Sequence, residues 1–262
     1  MKRCIVNVWS TINSREDYKS GSERMTLSAI DKQFNGDFLL FSPEYKLKYQ
    51  RSISSINNSN FYTFKSWGFS EKYGEALPHR QASHQFKSYV IQYAREQGYE
   101  QIMWCDCTTL FLKPFQKYFD LAEEIGIVTF DADKAIEAEY TADITLEGMG
   151  CSIEYARSIS QVASGVMIFD FRREITNKIF DEFIKYCSIP EIINGEGGSN
   201  RSEFKDTRHD QAIISYLIRK HGCYPLSFGG FMWGGDLEKV KQYSPTFLNY
   251  GIGKDINLLK GI

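Results

Sequence analysis

The sequence predicts an α/β fold with a central, mostly parallel sheet flanked by helices. Three observations carry that prediction. Short apolar runs alternate with segments of helical periodicity, the order that builds a strand–helix–strand sheet. Several of the apolar runs show no alternation, so they read as strands buried on both faces. The composition is also that of a globular chain, 42% hydrophobic and 24% charged over 262 residues, enough to bury a sizeable core.

Residues 5–9, Ile-Val-Asn-Val-Trp, read as the first strand. Residues 24–34 read as a helix with Leu27, Ile30 and Phe34 on its inward face. Gly36 and Asp37 break it; residues 38–41 form the next strand and 61–64 a short one. Between residues 85 and 97, Phe86, Tyr89, Val90, Tyr93 and Ala94 fall on one helical face. Gly98 ends that helix. Residues 101–105 then read as a strand with no alternation, expected in the middle of the sheet, and 125–130 and 165–169 read the same way. Ile175, Ile179, Phe180, Phe183 and Ile184 mark another helix. Residues 210–219 mark one more, with Ile213, Tyr216 and Leu217 inward. Residues 194–202 and the glycine-rich 228–235 read as loops, the latter either a binding loop or a tight turn with an apolar plug. Nothing repeats, and the expectation is a single domain over residues 1–262.

Composition also limits the partners. The net charge of −2 lacks the basic excess of a nucleic-acid binder. Aromatics at 15% are read first as core, and only then as sugar-binding faces. The six cysteines, Cys4, Cys105, Cys107, Cys151, Cys187 and Cys223, have no zinc-ribbon spacing and read as free thiols of a reducing compartment. The apolar stretch after Met1-Lys2-Arg3 is too short for a signal peptide, and no run approaches the length of a membrane span. The expected location is cytoplasmic.

Three constellations carry chemistry. Asp106 sits where the buried run 101–105 ends, the position at which open α/β sheets bind ligands. A charge there faces a cation or polar ligand, or caps the next turn. Asp210, in Arg208-His209-Asp210-Gln211, opens a helix; it is either a first-turn acid suited to the dipole or a general base for an acceptor hydroxyl. Pro78-His79-Arg80 with Lys87, and Tyr18, Lys19, Gly21 and Arg24 after the first strand, are polar sets able to meet a phosphate.

A family resemblance rests on these residues. Phe86-Lys87-Ser88, Gly98-Tyr99, the run through Trp104-Cys105-Asp106-Cys107-Thr108 and Leu112-Lys113-Pro114 together resemble the donor-site region of GT-A glycosyltransferases, the nucleotide-diphospho-sugar transferase superfamily. Ala163-Ser164-Gly165-Val166-Met167 is similar to the strand that follows there, and Arg208-His209-Asp210-Gln211-Ala212 to the late Asp-Gln helix start. Asn249-Tyr250-Gly251-Ile252-Gly253-Lys254 is similar to the closing segment of glycogenin-like members. The nearest likeness is to bacterial and large-virus sequences with Trp-x-Asp-x-Ser/Thr and Arg-His-Asp-Gln motifs.

The resemblance implies transfer of a hexosyl or pentosyl group from a nucleotide-diphosphate sugar, a UDP-sugar favoured, to a glycan or other hydroxyl acceptor. It implies a nucleotide over Val8, Trp9 and Ser10, with Arg24 and Lys87 nearby. Asp106, Cys107 and Thr108 would hold ribose, diphosphate or metal; Ser164, Gly165, His209 and Gln211 complete the donor set, and Asp210 is the catalytic carboxylate. Two departures bear on metal: Thr108 stands where the motif has its second Asp, and Asn249 where it has a His. One carboxylate, Asp106, would hold Mn²⁺ or Mg²⁺ weakly, and metal-independent catalysis is equally open. Asp131-Ala132-Asp133 reads as a sugar- or acceptor-side loop. The rival readings are a sugar nucleotidyltransferase, weakened because residues 10–22 contain a single glycine, and a non-catalytic domain that only binds sugar or nucleotide.

Overall fold

The structure, a computed structural model, describes residues 1–8, 17–42, 59–63, 84–233 and 237–250. Strand β1 (Arg3–Val8), helix α1 (Asp17–Asp31), β2 (Asp37–Ser42) and β3 (Ser59–Thr63) come first. Helix α2 (Phe86–Glu96) leads into β4 (Gln101–Cys105) and β5 (Thr109–Phe111), and α3 (Gln116–Ile125) into β6 (Ile127–Ile136). A 3₁₀ turn (Glu137–Glu139), α4 (Asp143–Met149) and α5 (Ile153–Ser158) precede the long strand β7 (Ser160–Asp170). Then come α6 (Glu174–Cys187), α7 (Pro190–Asn194), α8 (His209–Lys220), β8 (Phe231–Trp233), α9 (Leu237–Tyr243) and β9 (Phe247–Asn249).

The main sheet has the order β3-β2-β1-β4-β7-β6. Strands β3, β2, β1 and β4 are mutually parallel, while β7 runs against both β4 and β6. A single reversed strand in six makes the sheet mostly parallel, as the sequence predicts. A second sheet, β5-β9-β8, stands apart from it.

Both faces of the main sheet are covered, which is why its central strands lack alternation. Along β4, Ile102 and Trp104 join one core with residues of α2, α6 and α8, among them Val90, Phe180 and Ile213. Met103 and Cys105 join the other, with Met25 and Ala29 of α1, Phe119 of α3 and Phe247 of β9. Each such large apolar side chain removed from water contributes about 1.5–3 kcal/mol. Gly98 has φ +78°, the left-handed conformation that ends α2 where the sequence predicts a stop. All six cysteines are free thiols.

Three readings need correction. Leu27 and Ile30 do not face inward: they are 49% and 36% exposed. Helix α1 instead buries Ser22, Met25, Thr26 and Ala29. It does so because it lies close to the β4–β5 turn: a Cβ on Gly21 would stand 2.7 Å from the Cys107 carbonyl oxygen. Small residues permit that approach, and the branched ones turn outward. Ile125 belongs to the end of α3, with β6 beginning two residues later. Asp131-Ala132-Asp133 is not a loop but part of β6, where the Ser160 hydroxyl donates to Asp131 Oδ2 at 2.7 Å. Among the described residues no helix is long and apolar enough to cross a membrane.

Candidate functional site

The carboxyl end of β4 collects residues from four segments, three of which bring a charge. The chain leaves the sheet at Asp106, whose amide donates to the Gly165 carbonyl of β7 at 2.8 Å. Trp104, one turn of the pleat earlier, faces α2, and its indole N–H donates to Asp106 Oδ1 at 2.9 Å. The first turn of α2 comes back to this end of the sheet, because a helix preceding a strand in such a sheet runs opposite to it. It therefore aims Lys87 at Asp106. The reversed strand β7 contributes Ser164 and Gly165. Helix α8 contributes Asp210 from its second residue, where the helix dipole favours a carboxylate.

Lys87 is the hub. Its ammonium lies 2.6 Å from Asp210 Oδ2 and 3.7 Å from Asp106 Oδ1, and the Lys87 and Asp210 side chains are 2% and 4% exposed. It also donates to the Ser164 carbonyl at 3.1 Å and hydroxyl at 3.2 Å. Its Nζ sits 5.1 Å from the centre of the Trp104 ring. Burial pulls the Lys87 ammonium toward neutrality, but the carboxylates of Asp210 and then Asp106 outweigh it and hold its pKa above the ordinary value. Burial pushes the Asp210 carboxyl up. The Lys87 charge, His84 and hydrogen bonds from Lys87 and Ser164 outweigh this and keep it below the ordinary range. Asp106 goes the other way: burial raises its carboxyl, with Lys87 opposing and Asp210 adding. Its side chain keeps 35% of its surface open to solvent, so Asp106 is the member of the cluster that a ligand can reach.

Gly165 lets two side chains close in at this point. A Cβ there would lie 3.1 Å from Asp106 Oδ2 and 2.9 Å from the Phe231 ring. The turn itself is fastened from behind: Asn7 of β1 donates to the Cys105 carbonyl at 2.6 Å, and Ser22 of α1 donates to Asn7 Oδ1 at 2.6 Å. An amide inside an otherwise apolar buried strand is the trace this fastening leaves in the sequence. The β5–β9 pairing sets Asn249 opposite Thr109, and the Tyr250 amide donates to the Thr108 carbonyl at 3.1 Å.

The other expected residues divide. Thr108 is half-buried beside Asp106. Cys107 is buried against α1, its thiol pushed up by burial and by Asp106, with Arg24 of α1 close enough to oppose this. Val8 is buried in the core at the end of β1. His209 turns away from Lys87, its Nδ1 3.0 Å from the Ile193 carbonyl. Gln211 also turns away, donating to Gln161 Oε1 at 2.9 Å. Trp9, Ser10, residues 78–80 and the glycines of residues 251–253 lie outside the described residues. Two neighbours escaped the sequence reading of the site. One is Trp104 as a hydrogen-bond donor. The other is His84, whose ring lies 5.8 Å from that of His209. Both histidines are left-handed, φ +62° and +45°, at the entrances of the two helices that bring Lys87 and Asp210. Such conformations cost free energy in a non-glycine residue and gather at functional sites.

Among the described residues no three His, Cys, Asp or Glu side chains come together in a way that could hold a metal. Asp106 Oδ1 already accepts from Trp104 and lies near an ammonium. What gathers at this end of β4 is one buried ammonium, two carboxylates of which Asp106 is open to solvent, and the Ser164 hydroxyl.

No protein-family model matches the sequence, and no curated protein matches it. Among solved structures, the chain is similar to apo WbbM, a bifunctional glycosyltransferase, with TM-score 0.57 and 9% identity over 97% of this chain and 46% of that one. It thus spans under half of the WbbM chain. It is similar also to apo mouse xyloside xylosyltransferase 1, with TM-score 0.57 and 10% identity over 96% of this chain and 98% of that one. At this identity the likeness is one of fold: the α/β architecture, a central sheet flanked by helices, is that of GT-A-type structures.

Proposed function

We propose that the chain is a glycosyltransferase that moves a hexosyl or pentosyl group from a nucleotide-diphosphate sugar, a UDP-sugar first, to a hydroxyl of a glycan or small-molecule acceptor. The observation that carries this reading is the buried Lys87 ammonium between Asp106 and Asp210 at the carboxyl end of β4. Open α/β sheets bind ligands at that end, and GT-A-like structures share the fold.

In this reading the nucleotide lies over the end of β1, near Val8, Trp9 and Ser10, with Arg24 beside it. Its diphosphate approaches the Asp106–Thr108 turn. Lys87 stabilises the negative charge that grows on the leaving diphosphate, a preorganised electrostatic contribution. The donor sugar rests on Ser164 and Gly165 and offers a hydroxyl to Asp210. A divalent ion, Mn²⁺ or Mg²⁺, would have Asp106 as its one carboxylate, with the donor's phosphates supplying further oxygens.

Asp210 is the catalytic carboxylate of this proposal, and its environment bears on its role. A carboxylate held below its ordinary pKa by an ammonium is a weak base. It is suited to hold a sugar hydroxyl and to face positive charge developing at the anomeric carbon. A diphosphate that shared the Lys87 ammonium would restore basicity to Asp210, the condition for its taking a proton from an acceptor hydroxyl.

The test is a thermal-shift panel of UDP, GDP, CDP and dTDP, each with and without Mn²⁺. A ligand at a hundredfold excess over Kd raises stability by about 2.7 kcal/mol. The expected outcome is a shift with one nucleotide, lost in Lys87→Met. No shift with any of them would overturn the donor reading and leave the fold without its transferase role.

A further inference from the structure

Away from the Asp106 cluster a cavity borders the ring of Phe130. Phe231, which crowds Gly165 from below, stacks on Phe130 with ring centres 6.4 Å apart. The far side of Phe130 lines a cavity of about 330 Å³. That volume is at the small end of the ligand-pocket range, roughly 300–1,000 Å³. Gly229 and Gly230 of the glycine-rich stretch form part of its lining. A Cβ on Gly230 would collide with the Phe130 ring and reach within 3.3 Å of the Tyr118 hydroxyl. The glycine there keeps the wall thin and the cavity open.

The polar lining is made of Lys113, Lys117, Tyr118, Ser227, Ser244 and Thr246, and no described lining residue carries a carboxylate. Lys113 donates to the Ser244 carbonyl at 2.5 Å. That carbonyl follows the last turn of α9, an end where the helix dipole favours a cation. An ammonium has three donors, so two remain. Lys117 is exposed, with its ammonium 5.0 Å from the Tyr118 ring centre. The Tyr118 and Thr246 hydroxyls, on buried side chains, are 3.3 Å apart. One O–H serves the bond between them and the other is left to donate. The cavity thus presents an excess of donors and positive charge beside the half-buried Leu226, with the buried Phe130 ring behind its lining.

We infer that this cavity is a second ligand site, for a monosaccharide-sized ring that carries one anionic group, a phosphate ester or a carboxylate. The hydroxyl donors match a sugar's oxygens, the half-buried Leu226 gives the ring an apolar edge, and Lys117 meets the charge. None of the lining residues belongs to the Asp106 cluster, so the site does not depend on the donor reading.

The test uses the full chain and titrates glucose 6-phosphate, glucuronate, glucose and inorganic phosphate by calorimetry against the wild type, Lys117→Glu and Lys87→Met. The expected result is saturable binding of glucose 6-phosphate or glucuronate, and whichever binds names the anionic group. Lys117→Glu, an exposed position that the fold tolerates, weakens it about tenfold or more, the equivalent of one hydrogen bond to a charged group. Lys87→Met leaves it intact while abolishing the nucleotide shift, which separates the two sites. The inference is overturned by binding unchanged in Lys117→Glu, by binding lost in Lys87→Met, by glucose or bare phosphate binding as tightly as the anionic sugars, or by no binding of any of the four.

Discussion

Replacing Lys87 by methionine removes one ammonium and leaves the stem in place. What remains is Asp210, buried and without its 2.6 Å partner, with the Asp106 carboxylate facing it across the vacated volume. Breaking a buried ion pair from one side costs about 3–5 kcal/mol. The Asp106 contact adds little, since that side chain is one-third open to solvent and 3.7 Å away. For a chain of this size 1 kcal/mol moves Tm by about 2–4 °C, so the variant should melt roughly 6–20 °C below the wild type. The pH dependence gives the sharper readout. In the wild type the Asp210 pKa is lowered, so its contribution is present above the unfolded carboxylate value and is lost as pH falls through the folded one. Without the ammonium, burial dominates and the folded pKa rises above the unfolded value. The contribution then survives only at low pH and is lost as pH rises. The stability deficit should therefore be small near pH 4 and full at pH 7, measured by urea unfolding across that range. Adding Asp210→Asn should recover roughly 1–3 kcal/mol of the loss. A deficit below about 1 kcal/mol, or one that does not vary with pH, would refute the account of Lys87 as the cation that keeps Asp210 charged.

Asp210→Asn alone should lower kcat about 10²-fold or more in a sugar-transfer assay, and near-normal turnover would remove Asp210 from the chemistry. Asn7→Leu leaves the Cys105 carbonyl and the Ser22 hydroxyl without their partner; chemical denaturation should show a loss of about 1–3 kcal/mol. Gly21→Ala forces α1 away from the Cys107 carbonyl and should cost about 1–3 kcal/mol, together with weaker nucleotide binding in the thermal-shift panel, because it displaces the Asp106 turn. Glu137, fully buried beside Thr141 and Gln161, has its carboxyl pushed up to about 8, by burial first, with Thr141, Gln161 and Arg208 opposing. Its contribution is present below the unfolded value and lost as pH rises through the folded one. Glu137→Gln should therefore gain stability over the wild type progressively up to about pH 8 and hold that gain above it, and a flat difference in unfolding free energy against pH would contradict this.

The fold was legible where burial is two-sided. Residues 102–105 form an unbroken apolar run because α2 covers Trp104 while α1 and α3 cover Met103 and Cys105. No local signal gave the inward face of α1: Leu27 and Ile30 outrank Met25 and Ala29 in hydrophobicity, yet the approach of Gly21 to a backbone carbonyl decides the matter. In the site, Asp106 was legible from its position at a strand end. Lys87 was less so, since its partners lie 77 and 123 residues away, at Ser164 and Asp210. Periodicity carries no information at that range. His84 left no trace in the pattern, and Trp104 read as core because its ring is core; only its indole N–H belongs to the site.

The two helix starts at the site differ in what they explain. Asp210 in the first turn of α8 suits the dipole there and would be acceptable as a structural residue. Lys87 in the first turn of α2 suits nothing local. The dipole disfavours a cation at that end, burial disfavours the charge, and a long flexible side chain loses its rotamer freedom on being fixed. Two carboxylates and the Ser164 oxygens offset these costs, but neutral packing of similar volume is often as stable or more so than a buried ion pair. Stability therefore does not account for the arrangement. What the arrangement does place is an ammonium at the carboxyl end of a parallel strand beside a carboxylate that solvent reaches, the charge that the proposed transferase reading assigns to a leaving diphosphate.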